Sequence, residues 1–161
     1  MDTKPTLFLL CGKIASGKTT FSAKIAKQKQ CILISEDDWL AKLYPEEITS
    51  IPNYVKYSAR LRYVVSQHVI SLLKTDISVI LDFPANTIEN RSWLRDILNK
   101  SEALHELHYF DVDDEVCKAR LAKRNSLKTH NFSPSADQFD IITSYFVPPM
   151  DKENFNVIIH H

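Results

Sequence analysis

The chain has 161 residues, 20 Lys+Arg balanced by 20 Asp+Glu, 44% apolar residues and two glycines, where average usage would give about eleven. Zero net charge argues against a dominant basic footprint for nucleic acid, leaving room only for a local basic groove. The longest clean apolar run, Leu7 to Cys11, is too short to span a membrane, and two glycines cannot write a three-glycine dinucleotide fingerprint or a glycine-rich linker.

In chain order the pattern alternates short apolar runs with helical periods. Thr6 to Cys11 reads as a buried strand. Ser16 to about Lys29 reads as a helix with Phe21 and Ile25 inward and Lys24, Lys27 and Lys29 outward. Cys31 to Ser35 is a second strand. A long helix follows Pro52, a residue suited to a first turn, with Tyr57, Leu61, Val64, Val65, His68, Val69 and Leu72 as its inward stripe. Ile77 to Asp82 is a third strand, and Arg91 to Lys100 a helix with Trp93, Leu94, Ile97 and Leu98 on one face. Glu106 to Val112 is a fourth strand, and Asp113, Asp114 and Glu115 place negative charge where a helix N-terminus favours it. That helix runs to about Arg124. Ser133-Pro134 predicts the cap and first turn of another helix, with Phe139, Ile142 and Phe146 inward. Asn156 to His160 is a last short strand. Such alternation predicts one α/β domain over residues 1–161, a parallel sheet covered on both faces whose ligands bind beyond the carboxyl ends of the strands.

The sharpest motif lies between the first strand and the first helix: Gly12-Lys13-Ile14-Ala15-Ser16-Gly17-Lys18-Thr19, a complete G-x-x-x-x-G-K-[ST] phosphate-binding loop in strand–loop–helix context. Its chemistry requires backbone N–H groups turned inward around a phosphate chain, glycines where a Cβ would obstruct, and a helix N-terminus aimed at the same anion. In such a loop Lys18 reaches the β and γ phosphates, the Thr19 hydroxyl ligates Mg²⁺, and Thr20 is placed for an α-phosphate contact. Lys13, Ala15 and Ser16 complete the nucleotide-binding set.

Absences narrow the class. No third glycine exists for a D-x-x-G switch or an ABC-type signature. Asn99-Lys100-Ser101-Glu102 only approximates a guanine-reading N-K-x-D. Asp82 is followed by Phe83 rather than by the second acid of a ring ATPase. A compact kinase-like P-loop domain is what remains.

The runs LCGKIASGKTT, ISEDDWL, VILDFPANT and RLAKRN resemble the small P-loop kinases grouped with phage polynucleotide kinase, zeta toxin and chloramphenicol phosphotransferase, whose relatives also go by the label AAA family ATPase. The resemblance covers nearly the whole chain. It implies a five-stranded parallel sheet with helices on both sides, use of ATP and Mg²⁺, and a short arginine-bearing lid, here about residues 120–134. By the same resemblance Asp37 is the general base that takes the proton of an acceptor hydroxyl, with Asp38 and Glu36 as alternatives and a helix cap by Ser35 as the competing structural role. Asp82, at the end of the third strand, is a Mg²⁺ carboxylate or a substrate-orienting one. Arg120 and Arg124 share one helical face and stand ready to neutralise the γ-phosphoryl or to stack on adenine; the polar stretch after Asn125 is the candidate lid edge, with no glycine hinge. Asn86 and Arg91 are candidate acceptor contacts. Trp39, Cys11 and Cys31 read as packing residues, and His105 and His108 fall on opposite strand faces, which disfavours a metal site.

These readings predict an ATP phosphotransferase acting on a small-molecule hydroxyl, in the reducing cytoplasm that the three unpatterned cysteines and the non-secretory N-terminus suggest. Two rivals stay open: a 5′-hydroxyl polynucleotide kinase, and a nucleotide-binding ATPase that acts as a switch through a protein partner.

Overall fold

A computed structural model describes residues 3–127 and 133–161. Five strands, β1 (Thr6–Gly12), β2 (Ile32–Ser35), β3 (Val79–Pro84), β4 (Leu104–Phe110) and β5 (Val157–His160), form one sheet in the order β2-β3-β1-β4-β5, with every pairing parallel. Among the described residues six α-helices connect them: α1 (Lys18–Lys29), α2 (Glu36–Leu43), α3 (Ile51–Lys74), α4 (Ile88–Ser101), α5 (Asp114–Leu127) and α6 (Ala136–Thr143), with a 3-10 turn at Asp151–Glu153.

Alternation along β1 divides the core in two. Leu7, Leu9 and Cys11 face a larger layer with Leu61, Val65, Val69 and Leu73 of α3 and Leu94, Ile97 and Leu98 of α4. Phe8 and Leu10 face the opposite layer, where Phe21, Ile25 and Ala26 of α1 close over them. Successive strand residues point to opposite sides, so a continuous apolar run is what a strand buried on both faces requires. A third cluster joins Cys117 and Leu121 of α5 to Phe139 of α6 and to Ile14 and Ala15 of the phosphate-binding loop.

The chain builds β2 and β3 on one side of β1, then crosses to β4 and β5 on the other. That reversal opens a crevice at the carboxyl end of β1, where ligands bind in open α/β sheets.

Several sequence expectations are adjusted here. The inward stripe of α3 runs through Ser58, Leu61, Val65, Val69 and Leu73; Val64 and His68 are exposed, one step around the helix from the buried face. Helix α6 is capped by Ser135, not Ser133, because Ser135 and Gln138 form a reciprocal capping box. Cys31 is only half-buried, as it lies just before β2 rather than within it. The lid predicted over 120–134 begins as part of α5; its stretch 128–132 lies outside the described residues.

Candidate nucleotide and acceptor site

The phosphate-binding loop follows β1 directly. Its turn is made by Ala15 at φ 61° and Gly17 at φ 110°, left-handed conformations that favour glycine at the second, and by Ser16 N–H donating to Lys13 O at 3.2 Å. At Gly12 the constraint is space: a Cβ would lie 2.6 Å from Ser16 Oγ and 3.0 Å from Phe110 Cβ. The Gly12 N–H donates to Asn86 Oδ1 at 2.8 Å, so the β3–α4 connection braces the loop.

Lys18 Nζ donates to the carbonyls of Gly12 (2.5 Å) and Lys13 (2.7 Å). Burial pulls its amine below the ordinary lysine range, against the opposing fields of Asp82, Cys11 and Asp37. Lys13 pairs with Asp114 at 2.5 Å, and Arg120 Nη1 donates to Ser16 O at 3.5 Å. These contacts tie α5 to the loop from above.

Two acids face the lysine. Sheet register sets Ser35 of β2 beside Asp82 of β3, so Asp37, two residues on in the first turn of α2, acts on Asp82. Burial pushes the Asp82 carboxyl up, and Lys18 pulls it down while Asp37 raises it further. Ser22 Oγ approaches Asp82 Oδ2 at 3.4 Å, and the Ser22 and Thr19 side chains both favour the ionised carboxylate. Asp37 is exposed and lines the cleft with Lys18, Thr19, Thr20 and Asp82.

The alternatives to Asp37 separate cleanly. Asp38 pairs with Lys42 at 2.9 Å on the outer face of α2, and its N–H is capped by Ser35 Oγ; it does not line the cleft. Glu36 lines it but is buried, with Oε1 accepting from the Tyr54 hydroxyl and Oε2 from Ser58 Oγ at 2.7 Å. Both oxygens are therefore engaged. Burial pushes its carboxyl above the usual range, opposed by those hydrogen bonds and by Arg62.

The cleft encloses about 1410 Å³ between the phosphate-binding loop, α3 and the β3–α4 connection. One wall is a stripe of α3 with helical spacing, Tyr54, Ser58, Arg62 and Ser66, which the sequence reading missed. The i, i+4 recurrence of polar groups beside the apolar stripe was the signal available for it. Arg124 lines the opposite rim. Its Nε has no hydrogen-bond partner among the described residues; burial lowers its pKa while the field of Asp37 raises it.

Arg91 is a correction. Expected at the acceptor, it is fully buried behind the cleft. Its Nε donates to Glu153 Oε1 at 2.8 Å, Nη1 to Ala85 O (2.9 Å) and Val147 O (2.7 Å), and Nη2 to Pro148 O (3.3 Å). Every part of the guanidinium is spent on pinning the segment 147–153 to the end of β3. Asn86 does line the cleft, but its Oδ1 serves the loop. Trp39 packs on the main core, as expected.

The donor set suits a hard divalent cation. A hydroxyl and one carboxylate, Thr19 and Asp82, match Mg²⁺, which keeps several waters and takes further oxygens from phosphates. Among the described residues no three His, Cys, Asp or Glu side chains gather as a metal cage. No helix among them is long and apolar enough to cross a membrane.

A parallel sheet in 2-3-1-4-5 order with a glycine–lysine–threonine loop after β1 defines a kinase-like P-loop nucleotide-binding fold. A family model for an AAA domain matches residues 7–149, and the chain belongs to that AAA domain family. Solved structures carry the same fold. A candidate kinase from Chloroflexus aurantiacus aligns over 98% of this chain and 85% of its own, with 16% identity and a TM-score of 0.77. A chain of the Pnkp1/Rnl/Hen1 RNA repair complex aligns over 90% of this chain and 45% of its own, with 23% identity and a TM-score of 0.67. The APS kinase CysC of Mycobacterium tuberculosis, solved with AMPPNP and APS, aligns over 91% and 84%, with 16% identity and a TM-score of 0.60. No curated protein matches the sequence.

Proposed function

We propose that this protein transfers the γ-phosphoryl group of ATP, with Mg²⁺, to a hydroxyl of a small molecule. The observation that carries the reading is the placement of an exposed carboxylate, Asp37, in the same cleft as Lys18 and Asp82, facing a separate wall from α3. A simple nucleotide switch needs the loop and the metal carboxylate but has no use for that second compartment.

Lys18, once it leaves the loop carbonyls, and the loop amides hold the phosphates. Thr19 and Asp82 would hold Mg²⁺, which would supply neutralisation of the phosphate charge. The acceptor oxygen forms a bond to the γ-phosphorus as the bond to the departing ADP oxygen breaks, and the acceptor's proton goes to Asp37. Arg124 and Arg120 supply positive charge over the transferring group. The fold-level likeness to kinases supports phosphotransfer as a class, and the balanced charge favours a small acceptor over a nucleic-acid end.

The test is a metabolite-pool phosphorylation assay, with a 5′-hydroxyl oligonucleotide as a separate arm. Wild type is expected to phosphorylate at least one small acceptor, and Asp37→Asn to lower kcat by about 100-fold or more with ATP affinity nearly intact. Unchanged kcat in Asp37→Asn removes the base assignment; labelling of the oligonucleotide alone moves the acceptor to a nucleic acid.

A further inference from the structure

Accepting that the α3 side of the cleft is where the acceptor lies, Arg62 stands out among the residues there. It is the one cation α3 contributes to the lining among the described residues. Its side chain is 21% exposed, so it is embedded in the wall yet reaches the cleft. The nearest anion is Glu36 Oε2, 3.8 Å from Arg62 Nε, beyond hydrogen-bond length. That oxygen already accepts from Ser58. Arg62 Nε is buried with no hydrogen-bond partner among the described residues, an unusual state for a charged donor.

The guanidinium is also held in one attitude. It lies over the Trp93 ring, 5.1 Å from the centroid. Trp93 Nε1 donates to Ser66 Oγ at 2.7 Å, and Ser66 Oγ donates to Arg62 O at 2.6 Å. A planar fork fixed on an aromatic face, with donors to spare, is suited to bidentate recognition of an oxyanion. Glu36 offers the acceptor no matching site, because both its oxygens are engaged by Tyr54 and Ser58.

We propose that Arg62 is a specificity residue that binds an anionic group, a carboxylate or a phosphate, carried by the acceptor at a position away from the hydroxyl that is phosphorylated. Glu36 and Asp37 are adjacent in sequence, so the anion site and the base lie within the span of one small molecule. The substrate class is then hydroxy acids or hydroxyl-bearing phosphate esters, not neutral polyols.

The test keeps the nucleotide site filled with a non-hydrolysable ATP analogue and Mg²⁺, so that added anions cannot occupy the phosphate-binding loop. Matched probes are titrated by tryptophan fluorescence and calorimetry: glycerate against glyceramide, 3-hydroxybenzoate against 3-hydroxybenzamide, and glycerol 3-phosphate against glycerol. Wild type is expected to bind the anionic member of at least one pair about ten-fold or more tightly than its neutral partner, the scale of a hydrogen bond to a charged group. Whether the carboxylate or the phosphate pairs respond identifies the anion. Arg62→Met should erase the preference and Arg62→Lys should keep only part of it, since a point charge replaces the fork. A wild-type protein without anion preference in any pair overturns the proposal, as does a preference that survives Arg62→Met. Should the Met variant not fold, a preference in Arg62→Lys as strong as in wild type overturns it. The phosphotransfer reading is judged separately, by Asp37→Asn: Arg62-dependent anion binding stands without it, and phosphorylation of neutral acceptors untouched by Arg62→Met leaves it standing alone.

Discussion

Arg91 and Arg62 illustrate how one residue type serves opposite ends. Both are arginines on helices beside the cleft, yet Arg91 satisfies its donors on Glu153 and three carbonyls, while Arg62 has no hydrogen-bond partner for its buried Nε among the described residues. The first holds the chain together; the second is the one proposed to meet an anionic ligand. Burial raises the Glu153 carboxyl, but the Arg91 hydrogen bond and the Met150 N–H outweigh it and leave the group below the usual range. Removing the buried Arg91 leaves three carbonyls and a partly buried carboxylate without their donor. Arg91→Met is therefore expected to lower stability by about 3–5 kcal/mol in urea or thermal melts, with nucleotide affinity changed far less. A loss below 1 kcal/mol would show that the pair contributes little. The sequence pointed to Arg91 and passed over Arg62, because position along a helix does not show which remote groups a guanidinium meets.

At the scale of the element, helix α2 does the most with the fewest residues. Ser35 ends β2 and caps the helix, its Oγ accepting from Asp38 N–H at 3.3 Å. Glu36, Asp37 and Asp38 fill the first turn, where the helix dipole favours negative charge. The capping role, weighed in the sequence against a catalytic one, is held by Ser35, and the catalytic role proposed for Asp37 falls on the turn it caps. The cap aims Asp37 while Glu36 anchors the turn inward to Tyr54 and Ser58. Ser35→Ala is expected to cost about 1 kcal/mol of stability and to reduce phosphotransfer by more than ATP binding, as the turn carrying Asp37 loosens. Ser35→Thr, which can still cap, should restore both; thermal melts alongside kcat and KM measurements check this. If Ser35→Ala reduces ATP binding as much as kcat, the cap supports the loop rather than the base.

At the scale of the molecule, the sheet order brings charges from distant segments into one field. Lys18, Asp37 and Asp82 act on one another across the carboxyl ends of three adjacent strands. Burial lifts the Asp82 carboxyl above its ordinary value despite Lys18. A raised folded pKa means that this group's contribution to the stability of the ligand-free protein is full below the unfolded value and is lost as pH rises through the folded one. Mg²⁺ requires the ionised form. The Mg²⁺-dependent gain in nucleotide affinity should consequently weaken as pH falls from 7 toward 5, and Asp82→Asn should flatten that dependence. Titrations of an ATP analogue with and without Mg²⁺ across this range check the sign; a gain that grows at low pH contradicts it.

The local chemistry of the chain was written in short range. Loop residues Gly12 to Thr19, the continuous apolar strands and the acid that follows their apolar run in β3 are set by spacing and by backbone geometry, which neighbouring residues alone impose. Those features carried the fold class, the phosphate site and Lys18, Thr19 and Asp82 as candidates, and the resemblance to small P-loop kinases added Asp37. Tertiary packing decided what spacing could not. It faced Val64 and His68 outward by one step of helical phase, moved the α6 cap to Ser135, took Arg91 into the core and set Tyr54, Ser58 and Arg62 against Glu36. Each of these depends on which groups from remote segments reach hydrogen-bond distance. That is settled only when the sheet closes and buried donors compete for the acceptors within reach.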